Sequence, residues 1–463
     1  MVKEENEIEG NWWLPETPDR RVHGRLSYSG AGAQLDLSGA LSERDLGVVG
    51  ADRLDVVFGT THEEDEVTVF RALRTRATLL VHSDFARQSF VSSTVLLGAH
   101  VPAWSSFQIS ACEAEFTHLD EWIDLGGFMV EVTDPLSGDV ADDFLFRVTY
   151  RRIDLPSLHV SPFTVKFRFA TSVPLIFSHE ISLREATSLL IETSKPLLYE
   201  DLARDVIWPL RNLVTLATDG PGVVKRIRVQ LAENAKWAEI IEPQRSTVAE
   251  SKARLHMLFG YSQVRDRLAS MFATWFALYG KLAPALNALF SVIYNDVQST
   301  DTKFLTVSQA AEGYHRRSNP LPQADIEAYE RSVASIIAGA PEADRVWLGR
   351  KLENSYGPTF TDRVEDLFMR LGQEFLKPMF SNRKKVASGA WRIGDWRNKL
   401  THMRIEPAEI SANLREIHAC TNQLLIALKA NLLLDLGFAA ADLAKAFQYN
   451  QTYQIFSRRD APF

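Results

Sequence analysis

The chain has 463 residues, of which 46% are hydrophobic and 24% charged, with a formal net charge of −8. That length suffices for two or three domains with deep cores, and the composition excludes a chain that fails to fold. An acidic balance excludes a protein that coats nucleic acid or an anionic membrane with its whole surface, so any phosphate-binding site has to be local.

The N-terminal MVKEENEIEG is acidic and polar where an export signal is basic and then apolar. From Val22 to about residue 190 the chain shows short apolar runs with period-2 alternation: HGRLSY, AQLDLSG, EVTVFRA, TVLLGAH, FMVEVTD, FLFRVTY and FTVKFRF. Such runs read as strands. Gly, Asp, Asn and Ser between them, with no long helical pattern, favour an antiparallel sandwich or barrel over a parallel α/β sheet. The tryptophans Trp12, Trp13 and Trp122 admit a ligand-stacking role, but a packed core, or a contact between domains, is the more frequent fate of such residues.

The boundary between the β-rich part and the rest of the chain falls at 220–262, where TDGPGVVKR precedes a polar stretch and then helix from about Val264. Beyond it the period changes. After Pro322, Ile326, Tyr329, Val333 and Ile336 recur at helical spacing. Val364, Leu367, Phe368, Leu371 and Phe375 form another stripe, with Thr361 as its N-cap. A further helix has Pro407 in its first turn, Ile410, Leu414, Ile417, Thr421, Leu424 and Leu428 as its buried stripe, and Gly437 as its stop. The apolar run QLLIALKANLLLDLG is interrupted by Lys429 and Asp435, short of the roughly 18 to 20 residues that span a bilayer. No membrane span is expected.

These patterns predict an α+β, multidomain chain. Residues 1–225 form a β-rich domain, 226–300 a linker with connecting helices, and 301–463 an all-α helical bundle. Cys112 and Cys420 form no CxxC pair, which indicates neither a zinc cage nor a disulfide framework and suits a reducing cytosol. No GxxxxGK[ST] loop, HExxH or Ser-His-Asp signature is present, so neither cofactor nor metal is expected.

An arginine followed within four to six residues by a histidine occurs three times: Arg76 with His82, Arg152 with His159, and Arg397 with His402. The first two fall among strands and read as surface positions. The third lies in a basic stretch, where Lys377, Arg383, Lys384, Lys385, Arg392, Arg397, Lys399 and Arg404 stand against one acid, Asp395. That is a candidate phosphate footprint, with Arg383, Lys384, Lys385, Arg392, Lys399 and Arg404 as RNA-binding residues, although a solvated helix face carries the same charge.

Cleaving RNA without a metal needs a group that titrates near neutrality to move a proton, and a fixed cation to hold the charge on the phosphorane. His402 and Arg397 are of those types. In a regular helix residues five apart point about 140° away from each other, so the pair converges only if the helix begins or bends, which Gly394 permits, or if a second subunit completes the site. Asn398 is placed to orient the scissile phosphate or to cap the local backbone. Asp395 is placed to hold the imidazole or the arginine, or to form a surface ion pair.

Arg397-Asn398-Lys399-Leu400-Thr401-His402 resembles the RNxxxH signature of HEPN ribonucleases. NWWLPETPDRRVHGRLSYS at 11–29 and FLTVSQAAEGYHRR at 304–317 resemble the ApeA family of bacterial anti-phage proteins, which join a β-rich N-terminal domain to a C-terminal HEPN domain. The resemblance implies a metal-independent endoribonuclease of abortive infection, cytoplasmic, a homodimer or higher homo-oligomer, answering a phage-derived trigger. It implies RNA as substrate, tRNA among the candidates, with Arg397, His402 and Asn398 as catalytic residues. Glu312 and His315 match the family's Glu-Gly-Tyr-His-like helix. Read from the residues alone, Phe304, Val307, Ala311 and Tyr314 pack inward while Glu312 and His315 make surface contacts. The alternative function is a non-catalytic RNA-binding or dimerisation protein that keeps the HEPN fold.

Overall fold

The computed structural model describes residues 6–30, 32–41, 53–79, 86–132, 146–172, 182–243, 256–295, 297–353, 356–380 and 382–457. His82, the strand-run ends at 133–134 and 144–145, and the polar stretch at 244–255 lie outside the described residues. The chain forms two compact units, Met1–Phe272 and Ala273–Phe463.

In the first unit, alternating side chains make β1 (Asn6–Trp13), β2 (Val22–Ser29), β3 (Gly32–Leu37), β4 (Arg53–Thr61), β5 (Glu66–Leu79) and β6 (Ala86–Ser92). β2 shows the pattern most plainly: Val22, Gly24 and Leu26 are buried while His23 and Arg25 face out. The strand order β5-β4-β1-β2-β3-β6 returns to β5 and closes a six-stranded antiparallel barrel. Closure removes the open edges that invite aggregation. Trp12, Leu26, Leu35, Val57, Val69 and Phe90 fill the core. Gly59 is required there, since a Cβ would stand 2.4 Å from the Trp12 ring.

The first part of the long β5 pairs instead with β7 (Thr94–Leu97) and so leads out of the barrel. From β7 the sheet continues through β15 (Trp237–Ile241), β14 (Val224–Leu231), β8 (Gln108–Phe116), β13 (Glu185–Leu198), β12 (Phe163–Thr171) and β11 (Leu158–Val160). β9 (Phe128–Val132) and β10 (Phe146–Tyr150) form a separate pair. The unit also carries the short helices α1 (Leu119–Ile123), α2 (Tyr199–Leu202) and α3 (Trp208–Thr218). Trp12, Trp13 and Trp122 are all buried, which settles them as core residues. Arg152 pairs with Asp154 and His159 with Thr164 at the surface, as expected.

α4 (Tyr261–Val264) precedes α5 (Leu268–Tyr294), in which the division between units falls. The second unit continues with α6 (Thr300–Ser318), α7 (Gln323–Gly339), α8 (Glu342–Leu352), α9 (Phe360–Met369), α10 (Gln373–Leu376), α11 (Arg383–Thr401), α12 (Pro407–Ala412), α13 (Leu414–Asp435), α14 (Ala440–Ala446) and α15 (Gln451–Ser457). α6, α9, α11 and α13 pack on one another as a bundle. Phe304, Tyr314, Phe368, Ile393, Ile417 and Leu424 are buried in the second unit. Each large side chain so buried contributes roughly 1.5–3 kcal/mol.

Local signals explain the helix ends and correct three expectations. α9 is capped by Thr359, not Thr361: Thr359 Oγ1 accepts from the Asp362 N–H, and the Asp362 carboxylate accepts from the Thr359 N–H at 2.8 Å. The capping box needs its acid three residues after the cap, and Asp362 supplies it only to Thr359. The helix expected from Pro407 onward is broken at Asn413 into α12 and α13, so Leu414 is exposed while Ile417, Thr421, Leu424 and Leu428 are buried. Gly437, at φ 84°, ends α13 as expected. α7 buries none of its residues: Ile326, Tyr329 and Val333 are half-buried and Ile336 is exposed.

Among the described residues one segment, Tyr261–Tyr294, is by length and composition apolar enough to cross a membrane, with mean hydropathy 1.4; it lies outside the apolar run at 423–437 on which the expectation rested. One side of it, with Leu268, Trp275, Leu282, Leu286 and Phe290, is buried in the protein, while only 33% of its apolar window is buried.

Candidate active site

α11 carries the RNxxxH residues at its C-terminal end. It runs unbroken through Gly394 to Thr401, so the bend that Gly394 would permit is not made. Gly394 is there for close packing: a Cβ would lie 2.2 Å from Thr361 Oγ1 on α9. The helix stops at His402, its C-cap, in a Schellman motif. The Arg404 N–H donates to Lys399 O at 3.0 Å and the Met403 N–H to Leu400 O at 3.3 Å. Met403 takes the left-handed conformation at φ 49°, where glycine is usual. His402 is exposed. Arg397 and His402 therefore remain about 140° apart around the α11 axis.

Arg397 is held from three sides. Its Nη2 donates to Glu312 Oε2 on α6 at 3.1 Å, its Nη1 to Asn398 Oδ1 at 3.2 Å, and its guanidinium lies 5.3 Å from the Phe360 ring centre on α9. The Arg397 and Glu312 side chains are 30% and 25% exposed, so the ion pair is partly shielded and its geometry is defined. Arg316 donates to the other Glu312 oxygen at 3.0 Å.

His315, three residues after Glu312 and on the same face of α6, is not a surface contact as expected but buried. Arg363 Nη1 donates to its Nδ1 at 3.1 Å, and its Nε2 bonds Asp366 Oδ2 at 3.2 Å. A guanidinium can only donate, so His315 is neutral with its proton on Nε2. Burial holds its pKa below the usual histidine value, against the opposing pull of Asp366. Phe304, Val307, Ala311 and Tyr314 pack inward as expected. The Tyr314 hydroxyl bonds Asp435, which also takes Arg370. Thus Glu312, Tyr314 and His315 bind side chains on three different helices, and Gly313 passes close to Ala285.

The basic stretch divides. Lys399 pairs with Asp395 at 3.1 Å and with Glu409 at 3.6 Å, and Arg392 pairs with Glu416 at 3.6 Å. Asp395 thus has the surface ion pair as its fate, reaching neither Arg397 nor His402. Arg383, Lys384, Lys385 and Arg404 are exposed. Among the described residues no group of His, Cys, Asp and Glu has an arrangement suited to a metal ion.

Sequence reasoning missed Phe360, Arg363 and Asp366, all on α9. The Thr359–Asp362 capping box was the signal available, because it sets the register that puts Arg363 and Asp366 on one face.

Residues 7–275 match the family model described as ApeA N-terminal domain 1, and residues 305–442 match Apea-like HEPN. No curated protein and no solved structure matches the chain. HEPN domains are in general ribonuclease domains. With more than half its length under the first model and its helical bundle under the second, the chain belongs to the ApeA family, a β-rich N-terminal domain joined to a C-terminal HEPN domain.

Proposed function

We propose that the protein is a metal-independent endoribonuclease of cytoplasmic anti-phage defence, acting in abortive infection. The observation that carries this is Arg397, whose guanidinium is held by Glu312, Asn398 and Phe360 near the end of α11, five residues before an exposed His402. In the reaction the 2′-oxygen attacks the adjacent phosphorus and the bond to the 5′-oxygen breaks. His402 moves one of the two protons, from the 2′-hydroxyl or to the leaving 5′-oxygen, water carries the other, and Arg397 neutralises the non-bridging oxygens. The products are a 2′,3′-cyclic phosphate and a 5′-hydroxyl.

Arg397 and His402 of one chain point to different sides of α11, so a two-fold homodimer completes each site from two copies. Glu312 acts as a positioning residue for the cation, and Asn398 fixes its second amino group. His315 and Arg363 brace α6 against α9, and His315, with both ring nitrogens engaged, takes no part in proton transfer. Arg383, Lys384, Lys385 and Arg404 hold the phosphates of the bound strand, while Arg392 and Lys399, already paired, contribute less. The β-rich domain serves as the sensor of a phage-derived trigger.

Purified protein given RNA in EDTA is expected to cut it, and His402→Ala to abolish the cut. Arg397→Lys keeps the charge but loses the planar fork, so activity should also fall steeply. Undiminished cleavage by His402→Ala would sink the mechanism. A second reading, an HEPN fold kept for RNA docking or dimerisation, is favoured by one fact: Arg397 already spends its charge on Glu312. Under it, binding survives every one of these substitutions and no RNA ends appear.

A further inference from the structure

α11 presents one face to solvent over its whole length. Lys384, Ser388, Trp391, Asn398 and His402 are exposed, and Asp395 is partly so. At 100° per residue all lie within about 40° of one line. Val386, Ala390, Ile393, Trp396 and Leu400 are buried on the other side. The line therefore ends on His402 and passes through Trp391, which at 64% is the most exposed tryptophan in the protein.

An indole left in water forgoes the stabilisation its burial supplies, so its place on the same face as His402 calls for an occupant. Two kinds of macromolecule could cover it, a second copy of the chain or an RNA strand. The rest of the stripe is hydrophilic, with no other apolar side chain to build the core of a protein seam. Charge decides the same way. Arg383, Lys384 and Lys385 sit in the first turn of α11, where the helix's own field is already positive, and none has an ion-pair partner among the described residues. Three cations placed against that field are complementary to a polyanion.

We infer that a single RNA strand lies along this face of α11, with one base stacked on Trp391 and phosphates held near Lys384, while the scissile phosphate reaches His402. The inference rests on the ribonuclease reading. Along the axis Trp391 lies about 16 Å from His402 and about 10 Å from Lys384, a track of roughly four nucleotides, within the span that single-strand sites cover. A stacking contact tolerates any base, so Trp391 supports binding without dictating sequence.

The test uses full-length His402→Ala, which binds without cutting, and a fluorescent single-stranded RNA octamer. Adding Trp391→Ala should weaken binding by roughly 5- to 100-fold, while Trp391→Phe keeps most of the affinity. Placing an abasic nucleotide at successive positions should reveal one position where the Trp391→Ala penalty disappears. Equal affinity for the His402→Ala protein and its Trp391→Ala derivative overturns the inference. So does a loss of affinity that comes with a change from dimer to monomer in sedimentation, since Trp391 would then meet a second copy. If His402→Ala itself binds no RNA, the ribonuclease reading falls first, and the two failures are told apart by that control.

Discussion

Substituting Gly394 by alanine separates two roles for a glycine three residues before Arg397. If Gly394 served to let α11 bend, alanine would be neutral or stabilising, because the helical backbone there suits any residue and alanine gains about 1 kcal/mol over glycine. The structure instead puts Thr361 Oγ1 2.2 Å from where the new Cβ would stand, with Thr361 Cβ at 3.4 Å. Relieving that overlap takes a shift of about 1 Å at the α9–α11 contact, and overpacking of this kind costs roughly 1–3 kcal/mol. The net effect is a loss of about 1 kcal/mol. Thr361→Ala removes the offending oxygen and leaves an ordinary contact, so in that background Gly394→Ala should stabilise by up to about 1 kcal/mol. The sign inverts, with a coupling of about 2 kcal/mol. Hydrogen exchange of the α11 amides, followed by mass spectrometry across the four proteins, reads the local stability that a two-domain melt would blur. Stabilisation by Gly394→Ala in both backgrounds would refute the packing role and restore the hinge.

Three further outcomes rest on the same geometry. Glu312→Gln keeps a hydrogen-bond acceptor but leaves Arg397 unpaired and less well aimed, so cleavage should slow by roughly ten- to a hundredfold with little change in RNA affinity; an unchanged rate would remove Glu312 from the site. His315 has a folded pKa below its ordinary 6.5, so the unfolded chain takes the proton first. Its contribution is therefore fully present above about pH 6.5 and declines as pH falls toward the folded value. The melting temperature of the HEPN domain should drop as the pH falls below about 6.5, and His315→Gln should flatten that dependence; an identical slope in the variant would contradict the neutral, bridged imidazole. Met403→Gly relieves the left-handed strain at the end of α11 and should slow exchange of the last-turn amides by about tenfold, an effect of roughly 1–2 kcal/mol; no change there would show the Schellman turn unstrained.

As far as they are described, the seven alternating runs of the first half coincide with strands, most of them because a half-buried strand writes its two faces into the sequence at period two, although β9 is exposed. What no alternation could show is that β5 serves two neighbours in turn, which is what closes the barrel and extends the sheet. In the second half, packing helices were legible from their stripes and α7 was not: it has the spacing of a buried helix and buries nothing, because spacing records which residues share a face and not whether anything covers that face. Arg397 was legible as a candidate from charge and motif alone. Its partner Glu312 is eighty-five residues away and Phe360 lies on a third helix, pairings that only the bundle brings about. His315 looked like a surface residue because a histidine at a helix margin is usually solvated; its burial depends on Arg363 and Asp366, whose register the capping box at Thr359 fixes.

The chemistry of the RNA ends tests the proposal most directly. Purified protein, incubated with RNA in EDTA and activated by phage extract where needed, should leave 2′,3′-cyclic phosphates and 5′-hydroxyls, and His402→Ala should leave the RNA whole. Products with 5′-phosphates, or the same ends at the same rate from His402→Ala, would mean that some other group breaks the bond.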